Sequence, residues 1–228
     1  GDLLSFSRPH DIESIHLEYF RAGAHAVETN TFGASSMRLS EYDFSKFDLS
    51  RFAAAPVGLD PRSATYDQLA YGLNKRSAEI ACGAREKYKA ETDYDGRPLF
   101  VIGSIGPSNR VLSKTEADLR ESTFEAIGSN FYRQVEGLID GGADVLLFET
   151  QQDILELKAA IVGARRALKD KGARLPIMAQ VTVDLSGAEF SEVSFAAFYA
   201  DCEHEVRRIQ EGNRVCLVYN LIQERAAK

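Results

Sequence analysis

The sequence GGADVLLFET at residues 141–150 indicates the fold class most clearly. A helical pattern runs into small residues there and an apolar run follows, which is how a helix passes into a buried parallel strand. A second copy of this pattern, AGAHAVET, lies at residues 22–29. The copies end in carboxylates, Glu149 and Glu28. Parallel α/β folds place their chemistry at the carboxyl ends of strands, so these glutamates are the first candidates for a functional site.

The same alternation of helix and strand runs to about residue 184. It predicts helices over residues 9–22, 66–89, 123–139 and 154–171, and strands over residues 25–32, 99–105, 144–150 and 176–183. In the first helix, Ile12, Ile15, Tyr19 and Phe20 are expected on one face. Gly172 is expected to cap the last helix. This α/β pattern predicts a parallel sheet, either doubly wound or part of a TIM-type (β/α)8 barrel.

Composition and charge exclude several classes of function. The 228 residues are 44% hydrophobic and 27% charged, which is typical of a globular protein. Nucleic acid and anionic membranes attract clustered Lys and Arg, whereas this chain carries a net charge of -7. Its three cysteines show no Cys-x-x-Cys spacing, and no apolar run reaches the roughly 18 residues of a membrane span. We therefore expect a cytoplasmic protein with a small-molecule ligand.

Several motifs follow one another in a fixed order. They are GDLL and SRP within residues 1–9, ETNTF at 28–32, GSIGPSNR at 103–110, the stretch at 141–150, and LPIM at 175–178. Together they resemble the homocysteine-binding (homocysteine S-methyltransferase) domain of cobalamin-dependent methionine synthase, over about four-fifths of the chain. The resemblance implies a TIM-type barrel and methyl transfer to the thiol of homocysteine. It also implies a methyl donor, methylcobalamin, carried on another domain or protein.

The resemblance further implies zinc, because methyl transfer needs a thiolate and a coordinated thiol is deprotonated. In the family, three cysteines hold the metal, one after an Asn and two as a pair near the last strand. This chain lacks all three. In an alternative alignment of residues 218–220 with the barrel, Leu221 follows Asn220 at the place of one of these cysteines. It also lacks the family's first strand and the last part of the barrel, which would leave open sheet edges. We therefore expect an incomplete or inactive enzyme, or a non-catalytic remnant or interaction subunit whose edges an oligomer or partner covers.

The family motifs also imply a substrate site. The candidate substrate-binding residues are Glu149, Thr29, Asn30, Glu28, Gly106, Ser108 and Asn109. The resemblance implies that Glu149 receives the amino group of homocysteine and that Thr29 and Asn30 line the same pocket. The residues themselves leave other roles open. Glu149 could cap a helix or pair with Arg110, Thr29 and Asn30 could be turn residues, and Glu28 could form a salt bridge.

Residues 185–228 differ in character from the first part. The stretches at 195–206 and 212–221 alternate apolar and polar residues, which predicts two antiparallel strands. They resemble the C-terminal part of 2-oxoglutarate and Fe(II)-dependent oxygenases of the prolyl hydroxylase type. That resemblance implies that His204 ligates iron and Arg214 binds 2-oxoglutarate. The upstream His-x-Asp pair is missing, so a hairpin histidine and a surface arginine are the alternative.

The chain is therefore expected to comprise an incomplete homocysteine S-methyltransferase-like barrel, residues 1–184, and an oxygenase-like β segment, residues 185–228. A natural fusion, missing internal segments or an error of gene assembly would each explain the join. The leading hypothesis is homocysteine binding for S-methyl transfer, with a 2-oxoglutarate oxygenase or a non-catalytic subunit as alternatives. Of the remaining histidines, His25 is expected to be structural, at the opposite end of its strand from the site, and His10 and His16 are expected in surface or core positions on the first helix.

Overall fold

The computed structural model describes residues 1–44, 59, 64–112 and 122–182, and the backbone of residues 216–221. The helices of these ranges are α1 (Leu4–Ser7), α2 (Pro9–Arg21), α3 (Ser36–Leu39), α4 (Tyr66–Lys89), α5 (Phe124–Asp140) and α6 (Ile154–Lys171). The strands are β1 (Ala26–Glu28), β2 (Phe100–Ile105), β3 (Val145–Gln151), β4 (Ile177–Thr182) and β5 (Cys216–Leu221). The predicted alternation of helix and strand is confirmed.

The five described strands form one sheet in the order β1-β2-β3-β4-β5. Neighbouring strands from β1 to β4 are parallel. β5 runs antiparallel to β4, with Gln180 opposite Val218. The strand predicted within residues 212–221 is therefore confirmed, and β4 is its described partner. The other predicted arm, residues 195–206, lies outside the described residues.

The helices cover one face of the sheet. Val27 and Val101 pack with Phe20 of α2, while Phe148 packs edge-on against Phe131 of α5 with 6.0 Å between ring centroids. Contacts between helices follow chain order, from α2 to α4 to α5 to α6. A doubly wound sheet would carry helices on both faces. The described arrangement is that of consecutive barrel units, which leaves the opposite face of the strands for the site.

Local capping signals account for the helix boundaries. Thr65 and Gln68 form a capping box before α4, and Asp153 caps α6 with two hydrogen bonds from backbone amides. Gly172, with φ of 63°, ends α6 in the left-handed conformation that favours glycine. The bounds of α4 and α6 match the predicted ones. No helix in the described ranges is long and apolar enough to span a bilayer.

The apolar side of α2 is buried only in part. Ile15 and Tyr19 are 51% and 62% exposed, whereas Ile12, His16 and Phe20 are buried. These three residues are spaced at i, i+4 and i+8 and so share one side of the helix. Ile15 and Tyr19 lie on the same side of α2, at the margin that lines the cleft described below, and remain exposed.

Small residues bring the long helices close together. A Cβ on Gly163 of α6 would collide with the carbonyl oxygen of Gly128 on α5. Likewise, Cβ atoms on Gly137 and Gly141 would collide with the backbone carbonyls of Tyr71 and Lys75 on α4. Backbone therefore packs against backbone at both helix pairs, which fixes the spacing of the units that carry the strands.

Candidate substrate-binding site

A cleft of about 620 Å³ lies between α2 and β1 and extends onto the uncovered face of the sheet. Three neighbouring strands line it, with Glu28 on β1, Ser104 on β2 and Glu149 on β3. The segment after β1 and the side of α2 that bears His16 and Tyr19 complete the lining. The carboxyl ends of adjacent parallel strands therefore meet here, which is where the sequence predicted the site.

Glu149 is partly buried and is oriented by its neighbour on β2. The hydroxyl of Ser104 donates a short hydrogen bond to Oε1 of Glu149. Asp153, and not Glu149, caps α6, and no ion pair joins Glu149 to Arg110 among the described residues. Both alternative roles considered for Glu149 therefore lack support. Its carboxylate is held by a neutral hydroxyl and faces the cleft.

Glu28 brings a second carboxylate to the same cleft. Burial, and then the nearby charge of Glu149, raises the pKa of the Glu28 carboxyl. Neither glutamate forms an ion pair with Lys or Arg within the described ranges. The salt bridge considered for Glu28 is therefore not seen there. Two carboxylates that repel each other in one cleft favour a bound cation, such as an ammonium group.

The backbone next to Glu149 is strained. Thr150 has φ of 58°, which a β-branched residue rarely adopts, and the pairing of β3 with β4 shifts register between Phe148 and Gln151. The side-chain amide of Gln151 donates to the carbonyls of Glu149 (3.2 Å) and Ile105 (3.4 Å). Bulges of this kind redirect a side chain and cluster at functional sites. This strained residue directly follows Glu149 within β3.

Hydroxyl groups join the segment after β1 to β2. Thr31 Oγ1 donates to the carbonyl of Ser104 (2.7 Å), so the hydrogen between the Thr29 and Thr31 hydroxyls (2.6 Å) comes from Thr29. Thr29 Oγ1 in turn accepts the amide of Ser104 at 3.1 Å. After Glu28, these side-chain hydrogen bonds take the place of regular backbone pairing with β2. β1 therefore ends at Glu28 and not at the predicted residue 32. Thr29 is buried at the cleft wall, in contact with Ser104, which holds Glu149.

Besides lining the cleft, the side chain of Asn30 binds the first residues of the chain. Its amide nitrogen donates to the carbonyls of Gly1 (3.1 Å) and Asp2 (3.3 Å) and to the Ser5 hydroxyl (3.2 Å). The side chain thereby fastens the first residues of the chain against the end of β1. These partners are distant in sequence, so the side chain does not act as a local turn residue, and Asn30 also lines the cleft.

Gly106, Ser108 and Asn109 do not line this cleft. They form the loop after β2, where Gly106 lies so close to Phe32 that a Cβ would sit 2.7 Å from the Phe32 carbonyl oxygen. Asn109 donates its side-chain amide to Glu41 Oε1 at 2.7 Å. The structure therefore brings together the candidates on β1 and β3, and places those from the glycine-proline turn beside the cleft.

The cleft is also lined by a buried histidine, His16, which was not among the predicted site residues. His16 is 6% exposed, and its Nε2 finds no hydrogen-bond partner within the described residues. Burial lowers the pKa of His16 to about 4, so the imidazole is neutral at pH 7. The spacing of His16 with Ile12 and Phe20 signalled its burial. By contrast, His10 and His25 are exposed, so the structural role expected for His25 is not seen.

The described residues do not fit a zinc site. They contain no group of three or more His, Cys, Asp or Glu side chains that could hold a metal ion. Cys82 is partly buried on α4, where its thiol lies 3.3 Å from the carbonyl oxygen of Gly142 and burial raises its pKa. His204 and Arg214 lie outside the described residues, so the iron and 2-oxoglutarate assignments stay predictions.

Comparisons with known proteins identify relatives of the same kind. A sequence model of the homocysteine S-methyltransferase family matches residues 1–217, which takes in most of the segment after residue 184. Over 187 residues, 82% of the chain, it is 33% identical to the methionine synthase of Mycobacterium tuberculosis. The corresponding identity to the Mycobacterium leprae methionine synthase is 32%. The chain spans only 13% of the length of these relatives.

Solved structures give the same result. The oxidised and metallated forms of the homocysteine methyltransferase MmuM from Escherichia coli superpose with TM-scores of 0.53 and 0.54 at 26% identity. Each match covers 77% of this chain, and 53% or 54% of the MmuM chain. The partial barrel predicted from the sequence is thereby confirmed. The matched motifs, the one-sided helix layer and the two comparisons agree, and the chain belongs to the homocysteine S-methyltransferase family.

Proposed function

We propose that this chain binds homocysteine, or a closely related small thiol amino acid, for S-methyl transfer in methionine synthesis. In this proposal the cleft holds the amino-acid end of the ligand. Glu149 accepts hydrogen bonds from the ammonium group, and Glu28 adds a second negative charge. Asn30 and the buried Thr29 shape the wall on the β1 side.

One observation carries the proposal. The Glu149 carboxylate is oriented by Ser104, stands beside Glu28, and has no cationic partner among the described residues. A ligand ammonium would supply the missing charge, and charge-assisted hydrogen bonds of this type are among the stronger ones. Strain at Thr150 is a further cost that a binding role would explain.

The proposal separates substrate binding from thiol activation. The described residues offer no ligand set for zinc, so they account for recognition of the amino acid and for no step at the sulfur. The methyl donor is proposed to be methylcobalamin on another domain or protein, by analogy with the methionine synthases that the chain resembles. Glycine-proline loop residues Gly106, Ser108 and Asn109 are proposed to support the site from its rim.

Calorimetric titration with three ligands tests this function. L-homocysteine is expected to bind at least about tenfold more tightly than 4-mercaptobutyrate, which lacks the ammonium group, because two carboxylates would remain unpaired. The affinity for L-2-aminobutyrate, which lacks the thiol, shows how much the sulfur contributes to binding. Equal affinity for homocysteine and 4-mercaptobutyrate would contradict an ammonium site at Glu149.

A second candidate is a non-catalytic interaction subunit. Within the described residues, no strand pairs with the outer edge of β1, and exposed Ile15 and Tyr19 lie beside it. Unpaired edges of this kind invite strand addition by another chain. Light scattering that shows a stable oligomer, together with no homocysteine binding, would favour this candidate over the first.

A further inference from the structure

The loop after β2, residues 106–112, is fastened to the segments after both neighbouring strands. The amide of Gly106 donates to the carbonyl of Phe32 at 3.0 Å. The amide of Ser108 donates to Oε1 of Glu156 at 2.6 Å, and that of Leu112 to Oδ2 of Asp153 at 2.6 Å. The first turn of α6 therefore binds two amides of a loop that belongs to another β/α unit.

Asp153 and Glu156 accept different sets of hydrogen bonds at this turn. Asp153 uses Oδ1 to cap α6, accepting the amides of Leu155 (2.8 Å) and Glu156 (3.2 Å), and uses Oδ2 for the loop. Glu156 makes no capping bond and is 2% exposed. Within the described ranges it forms no ion pair, and Arg110 of the loop does not reach it. Burying a carboxylate without a cation destabilises the fold unless hydrogen bonds compensate for the lost hydration.

The contact joins the two segments that build the ammonium site. Ser104, which orients Glu149, lies four residues before Ser108, and Glu156 lies seven residues after Glu149. We propose that Glu156 is a positioning residue, whose ionised carboxylate holds loop 106–112 so that Ser104 and Glu149 are set for ligand binding. This inference rests on the proposed function. Protonated Glu156 would accept the Ser108 amide more weakly and loosen that arrangement.

The expected pH range follows from the surroundings of Glu156. Burial raises the pKa of its carboxyl to about 7, the charge of Asp153 acts in the same direction, and hydrogen bonds from Ser108 oppose both. Asp153 is the charged neighbour that acts on it among the described residues. The carboxylate is therefore mostly ionised at pH 8 and mostly protonated at pH 6. One linked proton with this pKa limits the loss of affinity between these values to about tenfold.

Two readouts test the proposal. In a 15N-labelled sample, the amide resonance of Ser108 is expected to shift between pH 5.5 and 8.5 with a midpoint near 7, and to stay fixed in Glu156→Gln. Homocysteine affinity is expected to fall up to about tenfold from pH 8 to pH 6 in the wild type, and less than about twofold in Glu156→Gln. The matched control on the same helix, Asp170→Asn, is exposed and should behave as the wild type.

Each outcome decides a different point. A Ser108 resonance that does not titrate in the wild type overturns the inference, and this holds even if Glu156→Gln fails to fold. Full pH dependence of affinity in a folded Glu156→Gln variant also overturns it. Titration of Ser108 with no homocysteine binding at any pH would instead overturn the proposed function, and the positioning role with it.

Discussion

The free energy of unfolding of the Gly163→Ala variant is expected to be about 3 kcal/mol lower than that of the wild type. A Cβ at this position would collide with the carbonyl oxygen of Gly128, a backbone atom that cannot rotate away. The gain in helix propensity from glycine to alanine, at most about 1 kcal/mol, does not offset this. α5 and α6 would have to separate, and their strands β3 and β4 with them. Urea denaturation followed by circular dichroism measures the loss.

The neighbouring substitution Val162→Ala provides the control. Val162 lies on the same turn of α6 and is 42% exposed, so its loss should change stability by less than about 0.5 kcal/mol. Equal stability of Gly163→Ala and Val162→Ala would show that the two helices are not held at backbone contact. The described packing of consecutive β/α units would then be wrong.

The Glu149→Gln variant is expected to bind homocysteine about 100-fold more weakly, equivalent to about 2.7 kcal/mol. Glutamine keeps the shape and an acceptor oxygen, so the loss reports the charge that faces the ammonium. The same change removes the repulsion that helps to raise the pKa of Glu28, so that pKa should fall toward its ordinary value. Calorimetry measures the affinity, and 13C NMR of the glutamate carboxyls follows Glu28.

Two further variants separate charge from orientation. Ser104→Ala removes the hydroxyl that orients Glu149 but keeps the charge, and should cause a smaller loss of affinity. Glu125→Gln changes an exposed carboxylate on α5 and should leave binding unchanged. Unaltered affinity in Glu149→Gln would remove this residue from the site, whatever the other two variants show.

Local signals predicted the helices and the existence of the strands. The start of α4 and both ends of α6 coincide with capping residues, because caps act through contacts with nearby residues in the chain. The carboxyl-end positions of Glu28 and Glu149 followed from the strand pattern in the same way. That both line one cleft follows from the parallel order β1-β2-β3, because the carboxyl ends of parallel strands lie at the same edge of the sheet.

Contacts between distant segments could not be predicted in this way. β1 is short because the hydroxyls of Thr29 and Thr31 bind β2, a choice that depends on where Ser104 lies in space. The bulge at Thr150 depends on the pairing of β3 with β4. The Glu156 contact likewise joins residues 48 positions apart.

A crystal structure of the chain soaked with L-homocysteine would show whether Glu149 binds the ammonium group. The ligand is expected in the cleft between α2 and β1, with its nitrogen within about 3.2 Å of a Glu149 carboxylate oxygen. Ligand density in another place, or an ammonium group turned away from both Glu149 and Glu28, would contradict the proposed site.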